Sequence, residues 1–284
     1  MLNETSMRTD IIAPRVLTPG GLMVLGGAPK VGKSDFLISW LVHMAAGAPF
    51  LGFTPARPLR VFYLQAEMQY HYLRERVRAM GLDPALTSAA RETFVATPKL
   101  RLLLNASGVA AATEAVQRAF PETPPDVLCL DPIRNLFDGG ESGGGENDNA
   151  AMMFFLQERV EPLREAVNPD GGVILAHHAR KLGKAHLKND PFQALSGASA
   201  LRSFYTTGLL LHRPDEERSE RRLEIELRNG PALPKKLIDK QNGGWVELDP
   251  SGERIVRRDF GEKLDAERQR KNDAIVKRWH GEIV

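Results

Sequence analysis

Cysteine is almost missing from this chain: in 284 residues Cys129 stands alone. A lone cysteine inside an apolar run forms no internal disulfide, so a reducing cytoplasm is the expected setting. No apolar run reaches the roughly 20 residues a membrane-spanning helix needs, and the amino-terminal residues lack the layout of a signal peptide. An excess of one charge is missing too. With 38 basic and 36 acidic residues the formal net charge is +2, too small by itself to argue for nucleic-acid binding. Aromatic residues make up 7%, and no segment interleaves them with basic residues strongly enough to predict a stacking platform for single strands. What is present, 42% hydrophobic and 26% charged residues, is the mix of a globular chain able to bury a substantial core.

Glycine is not scarce, and it concentrates where chemistry is expected. Residues 26–34 read GGAPKVGKS, between an apolar run at 22–25 and the helically spaced Phe36, Leu37, Trp40, Leu41 and Met44. Gly27 to Ser34 fit G-x-x-x-x-G-K-[ST], the phosphate-binding loop, in the strand–loop–helix setting that motif requires. Glycines let backbone N–H groups turn inward around a phosphate, and the following helix adds the positive end of its dipole. Lys33 is placed to reach the β- and γ-phosphates and the Ser34 hydroxyl to ligate Mg²⁺. The candidate nucleotide-binding residues are thus Gly27, Ala28, Pro29, Lys30, Val31, Gly32, Lys33, Ser34 and Asp35. The chain is expected to bind a nucleoside triphosphate.

Apolar runs recur at 22–25, 61–64, 127–130, 173–176, 208–211 and 223–227. The first four are continuous rather than alternating, as strands buried on both faces of a parallel sheet should be. Helical patterns fill the intervals at 35–46, 70–80, 111–120 and 150–167, which predicts βαβ units. The later runs at 208–211 and 223–227, with turn signals at 229–231 and 242–244, predict a hairpin-rich antiparallel extension. Residues 138–149 (DGGESGGGENDN) and 181–190 (KLGKAHLKND) read as polar loops. From about residue 251 the chain becomes charge-dense, as a solvated helix would.

Ligands of such sheets sit outside the carboxyl ends of the strands, and those ends carry chemistry here. VFYLQAE ends at Glu67, VLCLD at Asp131 and VILAHH at His177 and His178. Asp131 is placed to hold Mg²⁺ opposite Ser34, although an aspartate before Pro132 also suits a turn. Glu67 can polarise the water that attacks the γ-phosphate, or simply open the next helix, where a negative charge is favoured. His178 can touch the γ-phosphate, or close a strand with its ring bonded to backbone.

The four segments GGAPKVGKS, VFYLQAEM, PDVLCLDPIRNLF and GVILAHHARK, in this order within residues 18–248, resemble the RecA-like ATPases. Within them the chain looks most like the plasmid-type hexameric helicases of the RepA group and their phage relatives. The resemblance implies a RecA-like P-loop α/β fold: a mostly parallel central sheet flanked by helices, with a C-terminal antiparallel extension. It divides the chain into an arm at 1–17, an ATPase domain at 18–250 and a charged tail at 251–284. It implies Glu67 as catalytic base, Asp131 as the Walker B acid and His178 as sensor; the ENDN run at 146–149 and the double histidine are also typical of this subgroup. It further implies ATP and Mg²⁺ as cofactors, a homo-oligomeric hexameric ring, single-stranded DNA as partner and no membrane. RecA-like motors complete their site with a cation from the neighbouring subunit. LEIELRNGP is similar to the R-N-G-P pattern of that finger and points to Arg228, projecting from a sheet edge. The companion lysine two residues earlier is Glu226 here, and Arg202 in SGASALRSF is the second candidate. The function expected is an ATP-driven DNA helicase or remodelling motor of plasmid- or phage-type replication. The alternatives are a nucleotide-switched oligomeric DNA-binding regulator that does not unwind, or a small-molecule kinase, which Glu67 and the histidines argue against. Lys181, Lys184 and Lys188 are candidates for contacting DNA phosphates.

Overall fold

The computed structural model describes residues 8–97, 102–141, 143–180, 189–195, 198–253 and 255–256. The lysines of 181–188 and the tail beyond 256 lie outside the described residues. In chain order the elements are β1 (Ile12–Ala13), β2 (Leu22–Gly27), α1 (Lys33–Ala46), β3 (Thr54–Pro55), β4 (Val61–Gln65), α2 (Tyr70–Ala79), α3 (Pro84–Ala89) and β5 (Phe94–Ala96). There follow α4 (Ala106–Ala119), β6 (Val127–Asp131), α5 (Asn149–Phe155), α6 (Glu161–Val167), β7 (Gly172–His178) and α7 (Ala198–Phe204). The last four strands are β8 (Thr207–His212), β9 (Arg221–Leu227), β10 (Lys236–Gln241) and β11 (Gly244–Leu248).

Nine strands form one sheet in the order β11-β10-β9-β8-β2-β7-β6-β4-β5. The six from β8 to β5 are parallel, and β8 to β11 continue the sheet antiparallel. This is the RecA-like α/β arrangement, a mostly parallel sheet with an antiparallel C-terminal extension.

Successive strand residues point to opposite faces, and here both faces are apolar. Met23, Leu25, Val61, Tyr63, Cys129 and Ile174 pack into one layer with α1, while Leu22, Val24, Phe62, Leu64, Leu130 and Val173 pack into the other with α4 to α7. Burial on both faces is why these strands read as unbroken apolar runs. Ile12, Val16 and Leu17, from the segment ahead of β2, are buried in the first layer.

Several elements differ from expectation, among them α3 and the short pair β1 and β3. The helix expected over 150–167 is α5 and α6 joined by a π turn at Leu156–Val160. Pro162 has no N–H to return to the Glu158 carbonyl, and its ring would clash there, so the ladder widens by a residue. Helix α4 begins five residues before the periodic run, where the Asn105 side chain accepts from Gly108 N–H at 2.9 Å and caps it. Strand β5 is three residues at the sheet edge, too short for a pattern to reveal.

Candidate functional site

Parallel pairing lines up the strand ends. Gly26 and Gly27 of β2 lie opposite His177 and His178 of β7, and Gln65 of β4 lies opposite Asp131 of β6. The loop after β2, the turn after β4, the end of β6 and the end of β7 therefore meet above one stretch of sheet. There the loop after β2, the turn after β4 and the end of β7 border a cavity of about 510 Å³. One wall is the phosphate-loop sequence, with Ala28, Pro29, Lys30, Gly32, Lys33, Ser34 and Asp35 lining it; the other is Glu67, Met68, Arg76 and His178. Three of the residues expected to bind nucleotide or metal do not line it. Gly27 is the last residue of β2, Val31 turns its side chain into the core, and Asp131 lies beneath the floor, 3% exposed. A Cβ at Gly27 would meet the Val31 side chain at 3.0 Å and the Leu211 carbonyl at 3.2 Å, so the loop's close return over the strand leaves little room for a side chain there.

The loop enters α1 through Gly32, at φ 98°, a left-handed conformation that glycine adopts at little cost. No side chain caps this helix start, and the first N–H groups of a helix have no intrahelical acceptor. They face the cavity as donors for an anion. Lys33, 7% exposed, donates from Nζ to the His177 carbonyl at 2.9 Å. Burial lowers its pKa, while Asp131, Glu67 and Glu146 oppose that shift. Three carboxylates are thus close enough to favour the charged form of this buried amine. Asp131 is itself pushed up by burial, against the pull of Lys33 and of a hydrogen bond from the Tyr63 hydroxyl at 2.5 Å. His178 is held below the ordinary histidine value, first by burial and then by Lys33, so it is neutral at neutral pH.

These donors fit a nucleoside triphosphate: an uncapped helix start, a buried ammonium and an enclosing glycine loop. They fit Mg²⁺ as well. Ser34 on the wall and Asp131 below it offer oxygen atoms, the ligand type that ion prefers, and Mg²⁺ binds through few protein ligands plus phosphate oxygens and water. No cluster of three or more histidine, cysteine or acidic side chains suited to a metal occurs among the described residues.

Several more residues gather at or behind the site; of these Glu146, the first residue of the ENDN run, belongs to a segment singled out in the sequence. Arg76, on α2, faces the cavity from the same side as Glu67, so the chain does supply a cation of its own there. Glu146 comes back from the glycine-rich loop to within 3.6 Å of Arg134, and burial raises its pKa. Arg221 donates from Nε to the Val31 carbonyl at 3.1 Å and lies over the Trp245 ring at 5.3 Å. Lys240 pairs with Asp35 at 2.9 Å. The antiparallel extension thereby braces the phosphate loop from behind. A cation in every second or third position of YHYLRERVRAM hinted at Arg76; nothing in the sequence marked Arg221.

Arg228 is not at this site. Leu227 pairs with Thr207, and Thr207 with Met23 at the start of β2, so Arg228 lies at the opposite end of the sheet from the loop. Nor is β9 an edge strand; it runs between β8 and β10, because the C-terminal hairpin adds two strands outside it. Its guanidinium donates to the Arg202 and Ser203 carbonyls at 2.8 and 2.9 Å. Arg202 is paired with Asp190 and Glu226, each at 2.8 Å.

A family model described as an AAA domain matches residues 2–184. Among solved structures, a KaiC-like protein from the hyperthermophilic archaeon Pyrococcus horikoshii OT3 is similar in fold, with a TM-score of 0.50 at 14% identity over 86% of this chain and 98% of that chain. No curated protein matches the sequence.

Proposed function

We propose, on the premise that this chain belongs to the AAA domain family, that it is a cytoplasmic RecA-like ATPase working as a ring-shaped DNA motor. One observation carries the ATPase reading. A buried lysine at an uncapped helix start, with Glu67 and Asp131 acting on it, borders the same cavity as the phosphate-loop sequence. The loop N–H groups and Lys33 would bind the β- and γ-phosphates of ATP. Ser34 and Asp131 would hold Mg²⁺, whose charge offsets that of the phosphate oxygens. Glu67 orients the attacking water and takes its proton. His178, neutral and on the cavity wall, would hydrogen-bond the γ-phosphate. Arg228 of a neighbouring subunit would complete the site in a homohexamer. The domain division at 18–250 and the RepA-type assignment, with single-stranded DNA threaded through the ring, rest on the motif order and the R-N-G-P turn.

Steady-state ATP hydrolysis with and without single-stranded DNA tests this reading. The expected outcome is Mg²⁺-dependent turnover, abolished in Lys33→Ala and raised several-fold by DNA. Wild-type turnover in Lys33→Ala would sink the nucleotide site. Slow turnover indifferent to DNA would leave an ATPase but remove the motor, and phosphate appearing on an acceptor would make it a kinase.

A further inference from the structure

The turn that carries Glu67 is held by a side chain no motif marks. Gln65, the last residue of β4, is fully buried. Its Oε1 accepts from the backbone N–H of Glu67 at 2.6 Å and of Met68 at 2.7 Å, and its Nε2 donates to the Met68 carbonyl at 2.7 Å. One carboxamide thus ties three backbone groups of residues 67–68 to the end of the strand. The strand end is fixed in turn. The Thr97 hydroxyl accepts from Gln65 N–H at 2.9 Å, Ala66 N–H donates to the Asp131 carbonyl at 2.8 Å, and Asn135 donates to the Ala66 carbonyl at 3.1 Å. Backbone is anchored on both sides of Glu67, while its side chain is exposed toward the cavity.

We infer that Gln65 is a positioning residue for hydrolysis: its carboxamide fixes the turn that aims the Glu67 carboxylate, at a set distance from Asp131, without touching nucleotide. The inference rests on the role proposed for Glu67. A general base must lie within hydrogen-bond reach of the water it activates, and a misplacement of about 1 Å can cost roughly 100-fold in rate. No other residue type of this length both accepts two N–H bonds and donates to a carbonyl. Glutamate keeps the acceptors and loses the donor; methionine keeps the length and loses both; asparagine is one methylene too short.

The test is a double-mutant cycle in single-turnover ATP hydrolysis, with ATP affinity measured alongside. Gln65→Met is expected to slow hydrolysis by roughly 10- to 100-fold with ATP affinity within about twofold of wild type. The Gln65→Met/Glu67→Gln double variant should be no slower than Glu67→Gln alone, because a base already lost cannot be misplaced again. Gln65→Glu should retain more activity than Gln65→Met. Wild-type rates in Gln65→Met, a loss that adds fully to that of Glu67→Gln, or the reverse order of the Glu and Met variants overturns the positioning role. If Gln65→Met fails to fold, Gln65→Asn takes its place in the cycle with the same expectation. Wild-type hydrolysis in Glu67→Gln would instead remove the base assignment, and the role of Gln65 with it.

Discussion

Asp131 is buried, yet one of its oxygens accepts from the Tyr63 hydroxyl, and burial alone would push its carboxyl up. A hydrogen bond to a charged group contributes about 1.5–3 kcal/mol, so Tyr63 favours the ionised form that can hold a cation. Tyr63→Phe should therefore raise the Mg²⁺ concentration needed for half-maximal hydrolysis several-fold while the fold persists. Superimposable Mg²⁺ titrations would show that Tyr63 serves packing alone. His178 gives a pH prediction. Its folded pKa is depressed, so on acidification the unfolded chain takes the proton first. The stability tied to neutral His178 is whole above the ordinary histidine value and is lost as pH falls through the depressed one. Thermal melts from about pH 7 to about pH 5 should show a shallower loss in His178→Gln than in wild type; parallel curves would place the acid sensitivity elsewhere. At this scale the sequence was informative where one polar residue closes an apolar run, as at Glu67, Asp131 and His178. It was silent on Tyr63 and Gln65, whose places depend on strand register, and offered for Arg76 only a run of cations, because its place depends on the direction in which α2 leaves its turn.

Among the elements, β2, β4, β6 and β7 were legible because both of their faces are buried, which leaves no alternation to interpret; β5 was too short, and β8, expected with the antiparallel runs, pairs parallel with β2. The antiparallel extension was legible as hairpins but not as a brace, since its contact with the phosphate loop joins residues some 190 positions apart. Trp245 of β11 packs edge-on against Phe36 of α1 at 5.5 Å, and the space beside Gly32 is bounded by Trp245 and Arg221. The loop is supported below by β2 and behind by β9 and β11. Truncating a buried aromatic to alanine typically costs about 3–5 kcal/mol, so Trp245→Ala should lower the melting temperature. Arg221→Met should instead spare most of the stability and weaken ATP binding, because the Val31 carbonyl loses its donor and the loop its rear contact. Isothermal titration with ATP separates the two. Unchanged affinity in Arg221→Met, in a protein that melts as wild type, would make the extension a structural cover only.

The whole molecule places its two ends at opposite edges of chemistry. The phosphate loop, Glu67 and His178 crown the carboxyl ends of the parallel strands, whereas Arg228 sits at their amino ends because β9 runs the other way. Within one subunit Arg228 cannot reach the cavity, and that separation is what a residue serving a neighbour's site requires. Its present partners are two backbone carbonyls at the end of α7, neutral acceptors that a phosphate would outcompete. Arg202 is differently placed: it already holds Asp190 and Glu226, so releasing it would strand two carboxylates. Arg228→Ala subunits should bind ATP normally and hydrolyse it slowly. Mixing them with Glu67→Gln subunits should restore part of the activity, since some interfaces then join an intact Glu67 to an intact Arg228. The same mixture made with Arg202→Ala should show no such recovery and a lowered melting temperature. Recovery with Arg202→Ala alone would transfer the role to that residue. If neither mixture recovers, and sedimentation with ATP finds only monomers, the ring itself is excluded and Arg76, already on the cavity wall, becomes the cation that serves the site from within.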